Sequence, residues 1–323
     1  MKSLRIDVLG IVFVLVWSSG FVVGALATER IAPLAVTLWR FVVAAAVLAV
    51  IAARRGERWP RGRELVRVTA IGVPLFALQF GALYTALDGG MPASTTSLIA
   101  CSSPLWVAVV GVVAGWERLR AAQAAGIVLG LAGVVITLAD RVGRPPNQAA
   151  LVWTLLGLTG LTAGTVLQSR LRTSAGPSTV AAVEIAAGAA VLAVWAPLRG
   201  PVSVPFTWPA IWTFAWLAIV TGVGGPLMLF ALIRQRGATR ASSYLFVVPA
   251  ITAIAAWPIL GTPLHYTAVV GLAVAAAGLW LARQRTGRAD PAERLTAPAS
   301  EDSPAADPTL HPQGSLTSSR AAG

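Results

Sequence analysis

The sequence predicts an all-α integral membrane protein whose ten transmembrane helices form two inverted five-helix repeats. Three observations carry this reading. Only 12% of the 323 residues are charged and 56% are hydrophobic, against about 25% charged in an ordinary soluble domain. Mean hydropathy is +0.73. The apolar residues fall into runs of about 20, the length a helix needs to cross a hydrocarbon core about 30 Å thick. A frame of prolines and glycines also recurs half a chain later. The strands of about ten alternating residues that mark an outer-membrane barrel do not occur.

The spans are predicted near 6–27, 34–53, 66–87, 93–115, 121–139, 150–168, 179–197, 210–233, 241–260 and 265–282. The first holds Leu9 to Thr28 with no convincing cleavage site, so it reads as a span and not a signal peptide. The second carries Arg40 and the seventh Glu184, the two charges that fall well inside spans. The third contains "GVP" at Gly72–Pro74 and the eighth "GVGGP" at Gly222–Pro226. The fourth and ninth each hold a proline in mid-run, Pro104 and Pro249. Glycines at 126, 130 and 133 in the fifth span, with 271 and 278 in the tenth, fit small-residue helix packing and a possible dimer face. From about 286 the chain is rich in Pro, Ala, Ser and Asp and is expected to be a disordered cytoplasmic tail.

Basic residues set the expected orientation. With the N-terminus inside, the inner segments carry 18 Lys and Arg and the outer loops carry four, Arg30, Arg141, Arg144 and Arg199. Both termini are therefore expected in the cytoplasm and the chain in the inner or plasma membrane. The net charge of +12 is spread between apolar runs and not gathered on a face, which argues against nucleic acid as a partner. One cysteine allows no internal disulfide.

Pro104 and Pro249 are 145 residues apart, and the same shift carries Ser97 onto Ser242, Leu119 onto Leu264, Gly126 onto Gly271 and Gly133 onto Gly278. A shift of 144 carries Pro33 onto Pro177, "AAVLAV" at 45–50 onto 189–194, and Arg40 onto Glu184. The halves are thus expected at 1–140 and 141–285, with the tail at 286–323. Five spans is an odd number, so the second half enters the membrane inverted, an arrangement of many secondary transporters whose site lies near the midplane.

With "WSSGF" in span one, an Arg early in span two, a mid-span Pro in four and nine, and "WERL" after span four, residues 5 to 285 resemble the EamA branch of the drug/metabolite transporter superfamily. The resemblance implies export of amino acids and related small metabolites, with nucleotide-sugar and triose-phosphate carriers as cousins. The family often matches Glu117 with a second Glu after span nine; this chain has Thr262 there.

Candidate substrate-binding residues are Trp17, Ser18, Gln79, Tyr84, Cys101, Ser102, Pro104, Gly222, Gly224, Pro226 and Pro249. A tryptophan at mid-depth faces a cavity or packs. Gly/Pro interruptions in corresponding spans point to a binding site or make simple kinks. Each mid-span proline removes a donor and frees the carbonyl four residues earlier, here Ala100 and Leu245. Freed carbonyls suit an ammonium group and an open half-helix N-terminus a carboxylate. Arg40 and Glu184 either snorkel to the nearer interface or serve gating or coupling. At 1.5 Å per residue they differ in depth by roughly 13 Å, too far for an ion pair. The expected cavity lies between spans 1, 3, 4, 6, 8 and 9.

The expected activity is secondary transport of a small neutral or zwitterionic metabolite, as a monomer or homodimer, with no cofactor and no metal. An intramembrane enzyme is the rival class, but His265 and His311 cannot form a dyad at depth. A drug-type efflux carrier is a further alternative, disfavoured because span one has no central carboxylate. No G-x-x-x-x-G-K-[ST] motif is present.

Overall fold

The computed structural model describes residues 2–116, 121–139, 147–236, 244–245, 247–262 and 266–283. The expectations for Glu117, His265, His311 and the tail from 286 lie outside the described residues. All the regular structure described is helical. The helices are α1 Lys2–Thr28, α2 Pro33–Arg54, α3 Arg63–Asp88, α4 Ala93–Val113, α5 Ala121–Ala139, α6 Asn147–Ser169, α7 Pro177–Trp195, α8 over 208–236, α9 Val248–Leu260 and α10 Tyr266–Arg283. Among the described residues, seven helices are long and apolar enough to cross a membrane, and apolar stretches in α5, α9 and α10 are shorter. The protein is a multi-pass membrane protein.

The prolines explain the interruptions. Within a bilayer every backbone N–H must bond to protein, so a proline is tolerated only where no donor is needed or neighbours re-satisfy its partner. α4 stops at Cys101 and restarts at Ser103, which places Pro104 in a first turn. α9 likewise starts at Val248 with Pro249 in its first turn. First-turn N–H groups have no intrahelical acceptor, so the missing donor costs nothing there. These prolines therefore begin helices and do not kink continuous ones. α3 and α8 use another device. Val73–Leu78 and Trp216–Gly224 wind as π-helix, the wider register that accommodates Pro74 and lies just before Pro226.

Glycines decide which helices touch. α5 packs along α10. A Cβ on Gly133 would come within 2.3 Å of the Ala275 backbone N, and one on Gly278 within 2.1 Å of the Gly130 N. These glycines are used inside the chain, between the fifth and tenth helices, and not on an outward dimer face. α2 packs along α7 around Phe41, Leu48, Ile185 and Leu192. α3 reaches the same helix because Gly72 lies against the Glu184 carbonyl, 2.2 Å from where its Cβ would stand.

One end of this core is clamped through its loops. α7 has no side-chain cap of its own. Glu57, from the α2–α3 connection, supplies one, accepting bonds from the N–H groups of Ser178 (2.8 Å) and Thr179 (3.2 Å) and from the Ser178 hydroxyl (2.8 Å). A carboxylate there also meets the positive end of the helix dipole. Arg58 adds a carbonyl bonded by Gly176 N–H (3.0 Å), and Glu64 binds Thr173 and the Ser174 N–H.

The glycine contacts are testable. Gly133→Val and Gly278→Val each drive a side chain into backbone that cannot yield, so each should lower stability by about 1–3 kcal/mol or more. Gly224 has only the Ile219 carbonyl at 3.7 Å, and Gly224→Ala should leave the melting temperature in detergent near that of the wild type. Thermal unfolding of the three variants checks the contrast.

Candidate functional site

A cavity of about 390 Å³ lies between α1, α2, α3, α4, α6 and α8, with Leu245 before α9 closing one side. Ligand pockets run about 300–1,000 Å³ and are mostly apolar with a few placed polar groups. The apolar wall comes chiefly from Trp17, Phe21, Phe80, Leu83, Leu87 and Leu161. Gln79, Ser103, Thr165 and Thr221 add neutral polar groups. Among the described residues, Arg40 is the one charged residue in the lining, and no acidic residue lines it.

Arg40 does not snorkel. It is 4% exposed and turns inward from α2. Its Nη1 donates to the Tyr84 hydroxyl at 2.5 Å, and that hydroxyl donates to the Gly20 carbonyl at 3.2 Å. The chain Arg40–Tyr84–Gly20 ties α2, α3 and α1 together at the cavity wall. The guanidinium carbon sits 4.7 Å from the Phe80 ring centre, 5.2 Å from Phe41 and 5.3 Å from Tyr84. Cation–π contacts of this kind stabilise by about 0.5–2 kcal/mol each. They do not replace hydrogen bonds, and the buried Arg40 Nε has no partner among the described residues. An unpaired buried charge costs several kcal/mol, and intramembrane charges mark functional positions by default.

Trp17 stands at the cavity from α1, packed on Phe13 with ring centres 5.3 Å apart. Gly225 of α8 lies beside the indole, where a Cβ would be in ordinary contact with it at 3.4 Å. Cys101 and Pro104 line the cavity at the α4 break. Thr221 hydrogen-bonds back to the Leu217 carbonyl at 2.9 Å and enters the lining from the π-helical segment of α8.

Of the candidates, the structure brings Trp17, Gln79, Tyr84, Cys101, Pro104 and Arg40 together around this cavity. The others lie elsewhere. Ser18 is buried and donates to the Val248 carbonyl at 3.1 Å, joining α1 to α9. Ser102 donates to the Ile99 carbonyl at 2.6 Å, within its own helix end. Gly222 lies against Ala44 of α2. Gly224 and Pro226 belong to the winding of α8 and are absent from the lining. Pro249 faces a separate cavity of about 270 Å³ lined from α4, α5, α9 and α10. Glu184 is 4% exposed, beside Gln168, with one carboxyl oxygen unpartnered. It forms no ion pair with Arg40.

Two expectations need correction. The carbonyl four residues before Pro249 is not bare, since Val248 N–H bonds Leu245 O at 3.3 Å. The expected cavity also omitted α2, because Arg40 was placed by depth alone. The missed wall residues of α3, Phe80, Leu83 and Leu87, had a legible signal: with the candidates Gln79 and Tyr84 they recur at the three- and four-residue spacing of one helix face.

A model of the EamA-like transporter family matches residues 4–139 and again 148–284. The chain belongs to the EamA-like transporter family. Among its relatives, a transporter of Archaeoglobus fulgidus is 24% identical over 277 residues, 83% of this chain and 93% of that protein. The inner membrane transporter YedA of Escherichia coli K12 is 25% identical over 244 residues, 74% of this chain and 78% of that one. A protein of Streptantibioticus cattleyicolor, named a probable terminal-alkyne amino-acid exporter, is 27% identical over 286 residues, 84% of this chain and 91% of its own. A crystal structure superposes with a TM-score of 0.60 over 91% of this chain and 99% of its own, at 21% identity, which speaks to fold alone.

Proposed function

We propose that this EamA-family protein is a secondary transporter that exports amino acids or related small neutral or zwitterionic metabolites, alternating access around the central cavity. The observation that carries the reading is the cavity itself, enclosed by helices of both halves and lined by apolar groups with few polar ones. The names of relatives support the substrate class: the Streptantibioticus exporter, and a probable amino-acid metabolite efflux pump of Escherichia coli K12, 30% identical over 138 residues, 43% of this chain and 44% of that one.

Ten spans in two inverted repeats, 1–140 and 141–285, are part of the proposal. Several observations support it. The α4 and α9 restarts place prolines 145 residues apart. Both α3 and α8 carry a π-helical segment. The α5–α10 contact is reciprocal: Gly278 meets Gly130 N, and Gly133 meets Ala275 N, the same pair under the 145 shift. With both termini inside, cysteines replacing the exposed Arg61 or Arg172 should resist an impermeant thiol reagent in intact cells, and one replacing Arg30 should react, in a Cys101→Ser background. The reverse pattern overturns the orientation.

Purified protein in liposomes, offered an amino-acid panel with and without a pH gradient, tests transport. A transported substrate should protect Cys101 from a small permeant alkylating reagent. Trp17→Ala should cut transport at least tenfold while Trp59→Ala, in the α2–α3 connection, leaves it intact. Equal labelling with and without substrate, together with normal transport by Trp17→Ala, places the site elsewhere. Glu184 is assigned to proton coupling: Glu184→Gln should remove acceleration by the gradient and keep exchange. Gradient-driven transport that survives in this variant ends that assignment.

A further inference from the structure

We propose that Arg40 is the anchor for a substrate carboxylate, so the cavity takes molecules that join one carboxylate to an apolar body and rejects the corresponding amines; this rests on the transport reading above.

Among the described residues the lining holds one cation, Arg40, and no acid. An anion entering it loses its water, and a guanidinium returns that loss best, because its planar fork matches a carboxylate with two parallel bonds. Arg40 is placed for this. It is buried, it lines the cavity, and its Nε is unpartnered. The rings of Phe41, Phe80 and Tyr84 hold the guanidinium within 4.7 to 5.3 Å, so little side-chain freedom remains to be lost on binding.

The rival anion site is the N-terminal end of the second half of α4, at Ser103. It has little to offer. Pro104 carries no N–H, and the Leu105 N–H is already bonded to the Ser102 carbonyl at 2.9 Å. The rival role for Arg40 is a pin that joins α2 to α3 through Tyr84. A pin needs a donor at this place but no charge, and burying a full charge beside one neutral hydroxyl is a costly way to supply one. The rest of the wall fits the rest of the molecule. Trp17, Phe21, Phe80, Leu83 and Leu87 form an apolar surface for the side chain. An ammonium group on the same molecule meets neutral acceptors at Gln79 and Thr221. An amine without a carboxylate meets Arg40 as a like charge.

Three matched probes separate these cases: 3-phenylpropionate, L-phenylalanine and 2-phenylethylamine, each radiolabelled and measured in proteoliposomes against protein-free vesicles. Wild-type protein should move the first two and exclude the amine. Arg40→Gln should lose carboxylate transport at least tenfold, and Arg40→Lys, which keeps the charge without the fork, should lose less. A thermal-shift measurement on the solubilised full chain distinguishes anchor from pin. 3-Phenylpropionate should raise the melting temperature of the wild type and not that of Arg40→Gln. Without ligand, Arg40→Gln should unfold no lower than the wild type, whereas loss of a pin would lower it. If the amine moves as fast as the acid, if Arg40→Gln still carries carboxylates, or if it unfolds well below the wild type, the anchor is wrong while the transport reading stands. If the wild type moves none of the three, the amino-acid transport reading falls and the anchor with it.

Discussion

A backbone N–H or carbonyl inside a bilayer has no water to turn to, and an unmet one costs several kcal/mol. Four of the mid-span prolines are placed by that constraint. Pro104 and Pro249 stand in first turns, where the helix never required their N–H. Pro74 lies within a π-helical segment and Pro226 just after one. Each solution interrupts a regular helix at membrane depth. The interruptions in α4 and α8 lie at the cavity: Cys101, Ser103 and Pro104 flank one, and Thr221 comes from the other. The cavity is thus a consequence of where the backbone can stop and restart without a loss it cannot recover.

Close approach is the complementary requirement. Lipid offers helices no hydrophobic reason to associate, so association depends on fit. The α5–α10 contact has backbone against backbone at Gly130, Gly133, Gly271 and Gly278. These two helices form a tight pair beside the others, while α1, α2, α3, α4, α6 and α8 enclose the cavity around Trp17, Arg40 and Tyr84. At the other contact, Glu57 caps α7 from a different connection, so the α2–α3 and α6–α7 loops hold each other. A conformational change that separates these helices must break bonds from a carboxylate to two helix N–H groups.

Much of this was legible in the residues. Hydropathy runs located the helices to within four residues except at the start of α9, placed seven residues early, and the 145 shift between Pro104 and Pro249 pointed to the paired interruptions. Trp17, Gln79, Tyr84 and Cys101 were legible as polar or aromatic groups at mid-span. Arg40 was not, because depth along a helix says nothing about which way a side chain turns. Its inward rotation is set by Tyr84 and the rings of Phe41 and Phe80, two of which come from another helix. Ser18, Ser102 and Pro249 stand outside this lining for a related reason. A small polar group or a proline beside a break serves the break itself as readily as a ligand, and Ser18 and Ser102 spend their hydroxyls on Val248 and Ile99 carbonyls.

The two halves resemble one another in winding and contact but not in chemistry. Of the 18 described residues lining the cavity, 14 precede residue 140, and Leu161, Thr165, Thr221 and Leu245 are the four that follow it. The position that matches Arg40 under the 144 shift is Glu184, and the difference between the two is instructive. A carboxylate facing the cavity would neutralise Arg40 and leave nothing for an anion to pair with. Glu184 instead lies outside the lining, on α7 at the place where Gly72 of α3 comes against its backbone. The charge of one half is thereby kept open to the cavity and that of the other withheld from it. The cavity wall is therefore lopsided between the halves: among the described residues it carries one positive charge, a few neutral polar groups and otherwise apolar surface, most of it from the first half.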